Sequence, residues 1–242
     1  QALARGKNFL SLDGLTTLVP NVADALAQHN GTLSLDGLTT LTPNVGDTLA
    51  RHKGNLSLDG LIEINSVLLA EKLVAQSSRS YFNLNGLRKL SVEVAVELAR
   101  HEGSLHLDGL TTLPSNVANA LARHKGTLSL NGLTEITSVP LAEKLVEQKT
   151  QDLVLDGLIK ISQEVASSLA QYEGDLSLDG LTTLSPVVSL ELSRHEGYLS
   201  LSGLTTLTYQ VAESLSRHKD TLVLNGITTL TPGKCANQAS QL

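Results

Sequence analysis

Leu33-Ser34-Leu35-Asp36-Gly37-Leu38-Thr39-Thr40-Leu41-Thr42-Pro43-Asn44-Val45-Gly46-Asp47-Thr48-Leu49-Ala50-Arg51-His52-Lys53-Gly54-Asn55 carries the information that decides the fold. Its opening alternates apolar and polar residues, the period of a strand with one buried face. Leu33 and Leu35 point inward, while Thr32 and Ser34 point outward. Asp36-Gly37 closes the strand, with Gly supplying backbone freedom at the turn. Leu38 and Leu41 carry the core around the bend. Thr42-Pro43 then signals a helix start, a hydroxyl N-cap followed by Pro in the first turn. Val45, Leu49 and Ala50 share one helical face, as do Val22, Ala23, Leu26 and Ala27. Gly54 ends the helix as its C′ residue.

The same unit runs along the chain. Its turn glycines are Gly14, Gly37, Gly60, Gly86, Gly109, Gly132, Gly157, Gly180, Gly203 and Gly226, mostly 23 residues apart. A fixed period of this length marks a repeat architecture. The composition agrees: aromatic residues make up 2% of the 242-residue chain, and Trp and Met are absent. Leucine takes the place of rings in a core assembled from one small unit. A formal net charge of −6 argues against a dedicated nucleic-acid binder, which needs basic surface. The lone Cys235 excludes an internal disulfide framework, and no apolar run is long enough to span a membrane.

One unit cannot bury its leucines alone, so neighbours must stack. The expected class is α/β: about ten strands in a parallel sheet on the concave side of a curved solenoid, with helices on the convex side. This array is expected over residues 1–230, with its first repeat truncated and an atypical tail over 231–242.

The Leu-x-Leu-x-x-Leu-x-x-Leu core resembles that of leucine-rich-repeat proteins. Leu15, Leu38 and Leu110 stand close to where the usual asparagine ladder of that family would lie. In this respect, and in its period, the chain is similar to the bacterial subclass found in BspA-like surface proteins. The resemblance implies a non-catalytic scaffold that binds a protein partner through the concave sheet, in an extracellular or cell-surface setting. The other reading is a structural or adhesive array acting as a spacer or self-associating module.

Repeats three and six depart from the pattern together. Glu63-Ile64-Asn65-Ser66-Val67-Leu68-Leu69-Ala70-Glu71-Lys72-Leu73 parallels Glu135-Ile136-Thr137-Ser138-Val139-Pro140-Leu141-Ala142-Glu143-Lys144-Leu145, which indicates duplication of a three-repeat block. The lengthened loops at 76–81 and 148–152 are expected as bumps at the sheet edge.

Three columns line the outward face of the strands. The first holds Phe9, Tyr81 and Tyr198 among small and acidic residues. The second is mostly serine, interrupted by Asn83, His106, Val154 and Val223. The third is Asp13, Asp36, Asp59, Asn85, Asp108, Asn131, Asp156, Asp179, Ser202 and Asn225. Large anchors dominate binding energy, so the candidate partner-binding residues are Tyr81, His106, Tyr198, Asn83 and Phe9, with Tyr81 and His106 paired on adjacent strands.

A row of Asp suggests calcium, but Asn and Ser fill the same column. Their common property is an acceptor oxygen, which an Asx-type bond to the turn backbone explains. His29, His52, His101, His124, His195 and His218 recur near helix C-termini, reinforced by Arg5, Arg51, Arg100, Arg123, Arg194 and Arg217. That row predicts a basic edge able to hold anions near pH 6, where His gains charge. Thr-Thr pairs along the bend are too often broken by charge to match a crystal lattice. No phosphate loop, nucleophile elbow or Cys/His pairing supports catalysis, and no cofactor or metal is expected. The chain opens within a repeat and lacks the usual polar caps. Either caps or further repeats lie beyond it, or its outer strands near Leu10 and Leu222 associate in a homo-oligomer.

Overall fold

The computed structural model describes residues 8–77, 81–148 and 150–231. Arg5, Cys235 and all of the expected tail after Thr231 lie outside the described residues. The chain forms two compact units, Gln1–Leu133 and Thr134–Leu242.

In the first unit the described strands are β1 (Leu10–Ser11), β2 (Leu33–Ser34), β3 (Leu56–Ser57), β4 (Tyr81–Asn83), β5 (Ser104–His106) and β6 (Leu128–Ser129). Between them lie α1 (Pro20–Ala27), α2 (Pro43–Leu49), α3 (Val67–Gln76), α4 (Val92–Leu98) and α5 (Ser115–Leu121). Pairing is parallel and joins equivalent residues of successive repeats, Leu10 to Leu33 to Leu56 and Phe82 to Leu105 to Leu128. The inward leucines form the core: Leu33, Leu35, Leu38 and Leu49 have no exposed surface. On the helical face Ala23, Leu26 and Ala27 are buried as expected, whereas Val22 is 41% exposed.

The second unit repeats this α/β pattern with β7 (Glu135–Ile136), α6 (Val139–Val146), β8 (Asp152–Val154), β9 (Lys160–Ile161), α7 (Gln163–Leu169), β10 (Asp175–Ser177), α8 (Pro186–Leu192), β11 (Leu199–Ser200), β12 (Thr206–Thr208), α9 (Tyr209–Leu215), β13 (Leu222–Val223) and β14 (Thr229–Thr231). Here β8, β10, β11 and β13 form a parallel sheet. The Thr-containing segment, read from sequence as a bend, is itself extended in places: β12 pairs with β14 and β7 with β9. Ladder bonds thus run along two sides of the repeat, where the sequence pattern predicted one.

Among the described residues the strands do not make one continuous sheet. In the first unit β1–β3 and β4–β6 are separate. The lengthened third repeat is the cause. Its helix α3 runs ten residues, and Gln76 at its end turns its amide onto the free edge of β3. Gln76 Oε1 accepts from Leu56 N–H at 2.9 Å, and its Nε2 donates to the Leu56 carbonyl. One side chain does the work of a neighbouring strand; residues 78–80 and 149 of the two lengthened loops, expected as bumps, lie outside the described residues. Gln148, the counterpart of Gln76 in repeat six, is buried.

Two local expectations change. No described glycine has positive φ, so neither the turn nor the helix end uses glycine for a left-handed conformation. Proximity selects it: a Cβ on Gly54 would lie 1.9 Å from the Gly31 carbonyl oxygen, and one on Gly37 would lie 2.0 Å from that of Asp13. Thr42 does precede α2, with Pro43 in its first turn, but its side chain makes no capping bond. Ser66, Ser91 and Ser138 do cap their helices, accepting from the amides of Leu69, Val94 and Leu141.

Candidate functional site

Strand alternation turns Tyr81 and Asn83 of β4 to the open face and Phe82 inward, where its ring meets His101 edge-on at 5.6 Å. Parallel register sets Asn83 opposite His106 and Tyr81 opposite Ser104. Tyr81 therefore reaches His106 diagonally across β4 and β5, with ring centroids 4.6 Å apart and planes inclined by 43°. Tyr81 is 50% exposed. Asn83 Oδ1 accepts from Asn85 N–H at 2.9 Å, which fixes the third member of the patch.

Phe9 is 68% exposed and flanks β1, in a different sheet from the Tyr81 patch. Tyr198 belongs to the second unit, where it precedes β11 and is 37% exposed. The structure joins Tyr81, Asn83 and His106, and leaves Phe9 and Tyr198 as separate exposed rings.

A cavity of about 140 Å³ opens where β3 and β4 part. Leu56, Leu58, Leu73, Phe82 and Leu84 line it, and Asn55, Ser57 and Asp59 border it. Burial, then the charge of Asp36, pushes the Asp59 carboxyl above the usual aspartate value. Sequence reasoning missed this cavity, although the extra residues in repeat three were its visible signal.

The serine and Asx columns form one bonding system, with a direction different from the local turn bond read in the sequence. Asp13 Oδ1 accepts from the backbone N–H of Asp36, one repeat on, at 3.0 Å. Asp36 does the same for Asp59 at 2.9 Å, Asn85 for Asp108 at 2.8 Å, Asp108 for Asn131 at 2.9 Å and Asp156 for Asp179 at 3.0 Å. The serine of the next repeat donates to the same oxygen: Ser57 to Asp36, Ser129 to Asp108, Ser177 to Asp156 and Ser200 to Asp179, each at 2.6 Å. An acceptor oxygen is common to Asp and Asn, as the sequence indicated, but the bond fastens one repeat to the next. Hydrogen bonds from Ser34, Ser11 and the Asp36 amide lower the Asp13 carboxyl below its usual value. Among the described residues no group of three or more His, Cys, Asp or Glu side chains could hold a metal ion.

The histidine row is corrected more sharply. His29, His52, His101, His124 and His195 are all at most 4% exposed. The Nε2 atoms of His52 and His124 each lie 2.9 Å from a glycine carbonyl of the preceding repeat, Gly31 and Gly103. A carbonyl only accepts, so Nε2 carries the proton. The Nδ1 atoms of His52 and His195 are buried without a partner, as suits the unprotonated nitrogen of a neutral ring. Rings stack in pairs, His29 on His52 at 6.0 Å and His101 on His124 at 6.1 Å. Burial lowers the pKa of His52, His101 and His195 below 6.5. The buried rings form an internal seam, and at His52, His101 and His195 an imidazolium would be desolvated beside another ring of the same kind, so no cationic edge forms there. Where repeats lack His, other donors take the role: Lys72 Nζ donates to the Gly54 carbonyl at 2.8 Å and the Tyr172 hydroxyl to that of Thr150 at 2.6 Å. Among the described residues of that row, Arg51, Arg100, Arg123, Arg194 and Arg217 remain at the surface.

No protein-family model matches the chain, and no curated protein matches it. No helix among the described residues is long and apolar enough to cross a membrane.

Proposed function

We propose that the repeat is of the leucine-rich-repeat type and that the outward face of β4–β6 recognises a protein partner. The supporting observation is the Tyr81–His106 ring pair, on a floor otherwise built of small residues. Exposed aromatic anchors beside a pocket are what interface hot spots require. The 140 Å³ cavity has room for one apolar side chain of the partner. Phe9 and Tyr198 are outlying contacts in this reading, and the resemblance favours a cell-surface setting.

Immobilised chain and a Tyr81→Ala/His106→Ala variant, with folding of both checked by circular dichroism, test the reading in extracts of the native cells. A partner retained at least tenfold less by the variant is the expected result. A partner retained undiminished overturns it.

A second reading, a structural array that spaces or self-associates, has support of its own. The serine hydroxyls and Asp carboxylates of the floor are consumed by bonds between repeats. In that reading chains meet through outer strands near β1 and β13–β14, and sedimentation shows concentration-dependent assembly that the Tyr81/His106 variant retains.

A further inference from the structure

A cavity of about 340 Å³ lies between the C-terminal ends of α4 and α5, and none of the Tyr81 patch lines it. This size falls at the lower end of the range for small-molecule sites, about 300–1,000 Å³. Val96, Ala99 and Ala120 give it apolar walls, and Arg100, Arg123 and Lys125 supply cations. His101, 4% exposed, also lines it, and its Nε2 is buried without a hydrogen-bond partner. Two acidic groups offset part of the charge. Glu102 stands in the wall, and Glu97 holds Arg100 at 2.7 Å. Three cations against two carboxylates leave one positive charge to neutralise.

The walls are particular to this place. The repeat position of Ala120 carries Thr48 in α2 and Ser214 in α9, and that of Val96 carries Asp24 in α1 and Asp47 in α2. Arg and Lys recur at helix ends elsewhere, as Arg51 and Lys53 do, but there the adjoining wall is polar. Only small, apolar residues on both helices make room here.

We propose that this cavity binds a small organic monoanion, a carboxylate on an apolar body, with the apolar part against Val96, Ala99 and Ala120 and the carboxylate facing Arg123 and Lys125. Guanidinium groups match planar carboxylates through paired donors. The proposal does not depend on the partner-binding reading of the strand face.

Titration calorimetry of the full chain with naphthalene-2-carboxylate, 2-naphthylmethanol and 2-naphthyl phosphate tests it. The carboxylate is expected to bind at least tenfold tighter than the alcohol and tighter than the phosphate dianion. Ala120→Thr, which restores a residue type used at this repeat position, should weaken carboxylate binding at least tenfold, and Arg123→Gln should do the same. Arg51→Gln, at a helix end without the apolar walls, should leave it unchanged. Circular dichroism confirms that each variant is folded, and Arg123 is exposed, so its replacement leaves the core intact. No binding of the carboxylate at millimolar concentration, equal binding of the alcohol, tighter binding of the phosphate, or undiminished binding by Ala120→Thr would each overturn the proposal. So would an Arg51→Gln loss equal to that of Arg123→Gln.

Discussion

Asp108 shows what one residue does in this protein. Its Oδ1 takes the Asn131 amide at 2.9 Å and the Ser129 hydroxyl at 2.6 Å, so one oxygen joins two successive repeats. Nothing in that geometry requires a charge, and Asn85 makes the same backbone bond at 2.8 Å. Asp108→Ala strands both donors and should cost about 2 kcal/mol in urea unfolding, since a net hydrogen bond is worth about 0.5–1.5 kcal/mol. Asp108→Asn keeps the acceptor and should cost less than about 1 kcal/mol by the same measure. The shared acceptor was legible because Asn85, Asn131 and Ser202 interrupt the Asp column. The direction of the bond was not, because a local Asx turn and a bond to the next repeat use the same residues at the same period. Tyr81 and His106 could be paired from sequence, since a parallel register locked to the repeat makes neighbours of residues about one period apart. That His52 lies inside could not be read, because Arg51-His52-Lys53 presents as a polar helix end and only stacking reveals the Gly31 carbonyl beneath the ring.

At the level of elements, the helices and the first strand of each repeat fall where the pattern puts them, whereas β7, β9, β12 and β14 form in the segment read as a bend. Their ends depend on contacts between repeats. The break after β3 is the clearest case. Periodicity carried the expectation of a single sheet straight across the third repeat, but three extra residues are enough to substitute Gln76 for a strand. Gln76→Ala should strip the Leu56 amide of its acceptor and raise its hydrogen-exchange rate at least tenfold, while amides of β2 keep their protection. Gly54→Ala should be far more disruptive than an exposed Gly→Ala change, because its Cβ meets a backbone oxygen at 1.9 Å. Thermal unfolding should show the loss directly. The cavity between α4 and α5 could not be found by a pass along the chain, since Ala99 and Ala120 are unremarkable within their own helices and make a hollow only when those helices lie side by side.

Across the whole molecule, both units are fastened by the same devices: leucine core, Asx–serine bonds and stacked imidazole rings of successive repeats. The central claim is that these repeated polar columns hold the repeats together. The histidines make the claim measurable. Burial sets the folded pKa of His52, His101 and His195 below the ordinary 6.5, so on acidification the unfolded chain takes up protons first. Their contribution is complete above pH 6.5 and is lost as pH falls from there toward the folded values. Each group contributes a slope of up to about 1.4 kcal/mol per pH unit. His52→Gln, which retains a donor for the Gly31 carbonyl, should remove its share of that slope. The most direct test is the unfolding free energy in urea, measured from pH 8 to pH 5. A plateau above pH 7 and a steep fall below 6.5, less steep in His52→Gln, is the predicted result. Stability that rises on acidification through this range would mean that the imidazoles act as cations at an exposed helix end, and would contradict the account.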